Sequence, residues 1–297
     1  MSTPATPTPI TVADARAAIA RIGRSGALRC DISPALGGCI AGLWCGEVPV
    51  LRSTHANDLH SVRQSGSYPL VPFSNRIGHA QLLWQGTDRP LIKNFDPEPH
   101  AIHGVGWERP WAVLEASDTF ALLSYEHKAD AAWPFDFDSS QAFKLNAHAL
   151  EMTLSITNQS KVSAPVGLGW HPYFVKRPGS RVTFSTLGRW EMGNDKLPTH
   201  RTDSAGLDDD CAALAVDHCF DGWRGELHLR DALLRVPLHQ RIFVAQVVFQ
   251  VDHATVFGAD GAADRLHEAC EAAFGEAEKV LVLVREMMIR IRKQTRD

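Results

Sequence analysis

The sequence predicts an all-β protein built on a large antiparallel β-sandwich. Three observations predict it. Between about Leu28 and Val236, short apolar runs are separated by Gly, Pro, Asn and Asp, the residues that end strands and make turns. Several of these runs alternate apolar and polar residues with period two, so one face of each strand is buried and the other wetted. No amphipathic helix intervenes between them, which argues for antiparallel sheets over parallel β/α units.

The elements follow in chain order. Residues 1–25 open Pro/Thr-rich, reading as a short solvated tail ahead of a helical turn around Ala13–Ile22. No positive segment followed by an apolar one is present there, so no secretory signal is expected. The runs LWCGEVPVL, AVLEA, FALLSYEH, ALEMTLSITN and RVTFSTL then read as strands. Along Leu150–Thr157 the apolar residues fall at every second position until Asn158 ends the run. No internal repeat, linker or composition break precedes residue 236, so a single domain over 26–297 is expected. After Val236 the texture changes. Gln246–Val251 still reads as strand, but ADRLHEACEAAFGEAEKVLVLVREMMIRIRK is rich in Ala, Glu, Leu and Lys and compatible with helix. The C-terminal segment is therefore expected to be helical or aberrant.

Composition excludes whole classes of function. The 297 residues are 44% apolar and 22% charged, enough to bury a core and too apolar for wholesale disorder. A net charge of −4 without a basic block gives no footprint for nucleic acid or an anionic membrane surface. No apolar stretch approaches the roughly 20 residues of a membrane helix. Six cysteines show neither a C-x-x-C pair nor dense disulfide spacing, so reduced, packed thiols in a soluble cytoplasmic protein are expected. No Cys/His cluster has the ligand spacing of a zinc site.

Four segments concentrate polar groups among Gly, Pro and aromatic residues, as site-forming loops at the rim of a β scaffold do. In Tyr68–Gly78 two prolines prevent a central strand, and adjacent Asn75 and Arg76 offer donors suited to sugar hydroxyls or a carboxylate. They are equally compatible with a turn and a structural ion pair. In Ala101–Trp111, glycines beside His103 let a ligand approach the backbone, and nearby tryptophans offer flat faces to sugar C–H surfaces. A structural histidine in a turn fits the same residues. In Gly167–Phe174, Pro172 restrains His171, whose ordinary pKa of about 6.5 suits proton transfer near neutrality. In Val216–Trp223, Asp217 sits among apolar residues at a turn, as a ligand group or as a cap.

Taken in order, PLVPFSNRIG, IHGVGWERPW, GLGWHPYF and VDHCFDGW resemble the aldose 1-epimerase (galactose mutarotase-like) family over roughly residues 26 to 236. ALGGCIAGLWCGEVPVLR looks like its N-terminal strand pair, and WPFDFDSSQAFKLNAHALEMTLSITNQS like its central strands. The resemblance implies a supersandwich whose open face binds a pyranose, and an isomerase that interconverts the anomers of a free hexose without cofactor or metal. It implies catalytic roles for His171, as the acid that protonates the ring oxygen, and for His103. Asn75, Arg76 and Asp217 would bind the sugar. The partner is then a small-molecule aldose, with no nucleic acid or membrane, and the protein a monomer or homodimer. A hexose-phosphate 1-epimerase would need more basic residues, of which Arg109 is one contributor, and a homologue that only binds carbohydrate would lack the base.

The resemblance also implies a glutamate base before a proline near the C terminus. No Glu-Pro occurs after Val236. Glu268, Glu271, Glu276, Glu278 and Glu286 all fall in the helix-like stretch, where a solvated charged face explains them. A one-base shift in reading Phe257–Asp260 permits Leu-Glu-Pro-Met, and Met288–Ile291 again looks like a closing strand. A shifted frame between about 237 and 286 accounts for both.

Overall fold

The period-two runs become strands of alternating burial. In Phe120–His127, Phe137–Leu145 and Ala149–Asn158 every second side chain enters the core, and the three pair antiparallel in unbroken register. The computed structural model describes residues 20–55, 58–246 and 282–293. Its regular structure there is strand apart from two short 3-10 turns.

The largest sheet has ten strands. Its order runs Ala112–Ala116, Phe120–His127, Phe137–Leu145, Ala149–Asn158, Val282–Arg290, Leu234–Gln246, Arg224–Arg230, Arg181–Ser185 and Leu207–Asp210, with Arg292–Lys293 pairing Leu234–Gln246. A four-stranded sheet comprises Ala20–Ser25, Leu28–Ser33, Cys39–Cys45 and Val48–Pro49. One apolar cluster joins Leu28, Ile32 and Leu43 of this sheet to Leu123, Phe143 and Leu154 of the large one. Two sheets sharing one core make a sandwich. A second cluster of Cys39, Ala41, Leu59, Tyr68, Leu70, Ile102 and Trp107 lies under the loops that carry the polar motifs.

Two expectations are corrected. The helical turn around Ala13–Ile22 lies outside the described residues up to 19, and from Ala20 the chain is a strand, with Ile22 opposite Cys30. Ladder hydrogen bonds to a committed neighbour outweigh the modest helix preference of Ala and Arg. The C-terminal helix fails in the same way over Val282–Arg290, which fills the slot between Ala149–Asn158 and Leu234–Gln246. Met287 stands opposite Met152 and Ile289 opposite Leu150. Met287, Ile289 and Ile291 are buried while Arg290 is exposed, the alternation of a strand. Glu286 belongs to this strand. The strand expected at Gln246–Val251 reaches Gln246 within Leu234–Gln246. The rest of it, Phe257–Asp260, Glu268, Glu271, Glu276 and Glu278 lie outside the described residues.

Ile289→Ala should destabilise the protein by about 2–5 kcal/mol, the range for emptying a buried aliphatic site. Met288→Ala, on the other face, should cost much less. Urea denaturation of the two variants checks the strand assignment, since equal losses would contradict it.

Candidate active site

Two short ladders assemble the motif segments. Pro69–Leu70 pairs with Gly169–Trp170, and Arg76–Ile77 with Ala101–Ile102. Pro69 and Pro72 keep the first segment from extending into a longer strand, because neither has an N–H for a ladder. The second ladder continues past its end: the His103 N–H donates to the Asn75 carbonyl at 2.9 Å. Asn75 (φ 61) and His103 (φ 63) both adopt the left-handed region, which Asn tolerates and His visits at some cost. Asn94 braces the His103 turn, donating to the carbonyls of Ile102 and Gly104 and accepting the Ile102 N–H.

These segments enclose a cleft of about 420 Å³ lined by Asn75, Arg76, His103, His171 and Asp217 together with Leu70, Ser74, Gly169, Trp170, Met192, His218 and Cys219. All five residues singled out in the sequence therefore meet in one place. The His103 and His171 ring centroids are 5.3 Å apart, with planes at 72°. Tyr173 stacks on His171 at 4.5 Å and Tyr68 at 5.0 Å. The two tyrosine hydroxyls are 3.1 Å apart, and the Arg52 guanidinium caps the Tyr173 ring at 3.8 Å. The His171 backbone N–H donates to the Tyr68 carbonyl at 3.0 Å, so both the ring and the backbone of His171 are held.

Burial sets the protonation of the histidines. Desolvation, aided by His171 and Arg76, pushes the His103 pKa down to about 3. Desolvation also lowers His171, with Arg52 and Arg76 adding to it and Asp217 and a backbone hydrogen bond opposing it. Both imidazoles are thus neutral near pH 7. The Nδ1 atoms of both are buried without a hydrogen-bond partner. Because unfolded His103 binds its proton near pH 6.5, the unfolded state takes up a proton first on acidification. The stability held by neutral His103 is complete above about pH 6.5 and is lost as pH falls toward 3, at about 1.4 kcal/mol per pH unit. Urea melts at pH 7 and pH 5 should show a shallower acid loss in His103→Asn, whose Asn accepts a positive φ readily.

The sequence profile of the aldose 1-epimerase family matches residues 25–276. The chain belongs to the aldose 1-epimerase family. The uncharacterized protein YphB of Escherichia coli (strain K12) is 37% identical over 212 residues, 69% of this chain and 71% of YphB. The crystal structure of a candidate aldose 1-epimerase from Escherichia coli K12 superposes with a TM-score of 0.72 at 25% identity, covering 93% of this chain and 99% of that one. A galactose mutarotase-like protein from Clostridium acetobutylicum shares the fold, with a TM-score of 0.67 at 16% identity over 91% and 94% of the two chains.

Against this family background, several sequence readings change. Trp107 and Trp111 are not sugar platforms: both are buried, with their indole N–H groups donating to the Gly104 and Gly106 carbonyls. Trp170 is the indole at the cleft. Arg109 is no phosphate ligand, because it pairs with Asp130 at 3.2 Å and does not line the cleft. Sequence reasoning missed Met192, Glu98 and Lys196. Glu98 is buried and accepts Arg76 Nε at 3.3 Å and Lys196 Nζ, so Arg76 has the structural ion pair that the sequence allowed. A glutamate between two prolines, in DPEPH, was the signal available in the sequence. Among the described residues, no group of three or more His, Cys, Asp or Glu is arranged to hold a metal, and no helix is long and apolar enough to cross a membrane.

Proposed function

We propose that this chain interconverts the α and β anomers of a free hexose by opening and reclosing the pyranose ring. The convergence of His103 and His171 with Arg76, Asn75 and Asp217 in one cleft carries this reading. Ring opening requires a proton on the ring oxygen and removal of one from the anomeric hydroxyl. His171, held by its backbone and two stacked tyrosines, delivers the proton to the ring oxygen from its imidazolium form, the minor form near pH 7, and takes it back on closure. His103, kept neutral, orients a sugar oxygen by hydrogen bonding. Arg76 and Asn75 donate to hydroxyls and Asp217 accepts from them, so a single pose is held for both transfers. Four buried free thiols and Cys219 support a reducing, cytoplasmic setting.

Asp217 is the sole carboxylate among the described residues lining the cleft. The glutamate base that the family resemblance implies has no Glu-Pro counterpart after Val236, and residues 257–260, where a shifted reading frame would restore one, lie outside the described residues. This favours a second reading, in which the chain binds sugar and anomerises it slowly, with water taking the anomeric proton. Polarimetry of α-glucose and α-galactose equilibration, beside calorimetric titration with the same sugars, separates the two. Binding with equilibration no faster than the solvent rate selects the second, and absence of binding rejects both. Arg76→Ala and Asp217→Ala should each weaken sugar affinity, since each removes a charged hydrogen-bond partner worth about 1.5–3 kcal/mol. Intact affinity in both variants would move the sugar out of this cleft.

A further inference from the structure

Glu98 is a buried carboxylate with two cations on it. Lys196 Nζ and Arg76 Nε donate to its two oxygens, the latter at 3.3 Å. From Arg76 the chain of contacts continues: Arg76 Nη1 donates to Asn75 Oδ1 at 3.2 Å, and Asn75 Nδ2 to Cys219 Sγ at 3.0 Å. This network crosses the cleft wall from the Gly193–Leu197 turn to the strand Cys219–Asp221. We propose that Glu98 is a positioning residue that sets the pose and neutralises the charge of Arg76, so that the cleft accepts uncharged aldoses and rejects phosphorylated ones. The proposal rests on the sugar-binding reading above.

Three observations support it. First, the backbone is bent to build the network. Asn75, His103 and Lys196 are three of the six non-glycine residues with positive φ among the described residues, and such outliers persist where surrounding contacts hold them. Second, the turn that presents Lys196 is pinned independently. Fully buried His100 accepts the His79 N–H on Nδ1 at 2.9 Å, so its Nε2 carries the hydrogen donated to the Asp195 carbonyl at 2.7 Å. Third, the charges of the network and the cleft pair off. Arg76 and Lys196 stand against Glu98 and Asp217, Arg52 lies outside this set on the Tyr173 ring, and the two cleft histidines are neutral near pH 7. Burial alone would raise the Glu98 carboxyl, but Lys196 and Arg76 more than offset it and hold it below the usual carboxylate range. A phosphate entering this cleft would lose its hydration to a guanidinium already committed to a carboxylate. A neutral hexose meets only the free edge of Arg76 and no such penalty. Without the carboxylate, two cations would stand uncompensated beside the cleft and form an anion site.

The test is calorimetric titration of the full chain with D-galactose, D-glucose, glucose 6-phosphate and inorganic phosphate. In Glu98→Gln the aldose Kd should rise about tenfold, as expected when one charge-assisted contact is lost. Affinity for glucose 6-phosphate and phosphate should appear and should weaken with added salt. Glu98→Asp, which keeps the charge, should continue to exclude phosphate. Absence of either change in folded Glu98→Gln, or phosphate binding by Glu98→Asp, overturns the proposal. Should Glu98→Gln fail to fold, Lys196→Met decides. Its side chain is half exposed, and losing the second cation should loosen Glu98 and raise the aldose Kd about threefold; an unmoved Kd overturns the proposal. If the unaltered protein binds no aldose, the sugar reading fails by itself, and the gain of phosphate affinity alone then tests Glu98.

Discussion

His171→Asn should slow anomer equilibration by roughly 10²–10⁴-fold, the usual contribution of a positioned proton donor, while sugar affinity falls far less. The imidazole is fixed by its backbone hydrogen bond to Tyr68 and by stacking on Tyr68 and Tyr173, so Asn removes the proposed proton donor and leaves its frame. Polarimetry and calorimetry on the same folded preparation check this, and unchanged turnover would remove His171 from the chemistry. Burial lowers the His171 pKa, and the acid form is lost as pH rises through it. The limb reporting that proton should therefore lie below pH 6.5 in the kcat/KM profile of the unaltered chain and vanish in the variant.

Gly104→Ala should be the most damaging single methyl group near the site. Gly104 has φ +70, and a Cβ there would sit 2.2 Å from the Val71 carbonyl oxygen and 2.7 Å from Pro72 Cδ. That carbonyl cannot retreat freely, because it accepts the N–H groups of Val105 and Gly106 at 2.9 and 3.0 Å. Strain together with disrupted buried hydrogen bonds puts the loss at roughly 2–4 kcal/mol, and the His103 turn should shift with it. Gly86→Ala is the control. Gly86 has the same φ of +70 but nothing within 4 Å of its added Cβ, so only the left-handed backbone term of about 1 kcal/mol should remain. Thermal melts of the two variants should differ accordingly, with aldose affinity reduced only at Gly104.

Much of the candidate site was legible because its residues come in short, chemically distinctive strings. SNRIG, IHG and GWHPYF each pair a polar group with a Gly or Pro, VDH sets Asp217 in a short apolar segment ahead of Gly222, and His103, His171, Asn75, Arg76 and Asp217 all reached the cleft. What stayed hidden was each group's partner. Glu98 lies 22 residues from Arg76 and 98 from Lys196, and nothing local in DPEPH announces two cations. The tryptophans misled for a related reason. An indole beside a glycine-rich turn can face a ligand or fold beneath the turn, and the carbonyls of Gly104 and Gly106 take Trp107 and Trp111 inward.

The sequence by itself determined the strand texture, the order of the motif loops and the family, because alternation and Pro/Gly punctuation act within a few residues. Of the late segment the sequence marked only Met288–Ile291 as a closing strand, and tertiary structure decided where the rest of Val282–Arg290 goes. Val282–Arg290 carries a composition compatible with helix, yet its backbone groups find partners on both sides between Ala149–Asn158 and Leu234–Gln246, and Met287 and Ile289 drop into a core already formed by Met152 and Leu150. Intrinsic propensity differs by well under about 1 kcal/mol per residue for such side chains. Two ladders of hydrogen bonds and a buried apolar face outweigh it, and neither exists until strands far apart in the chain have met.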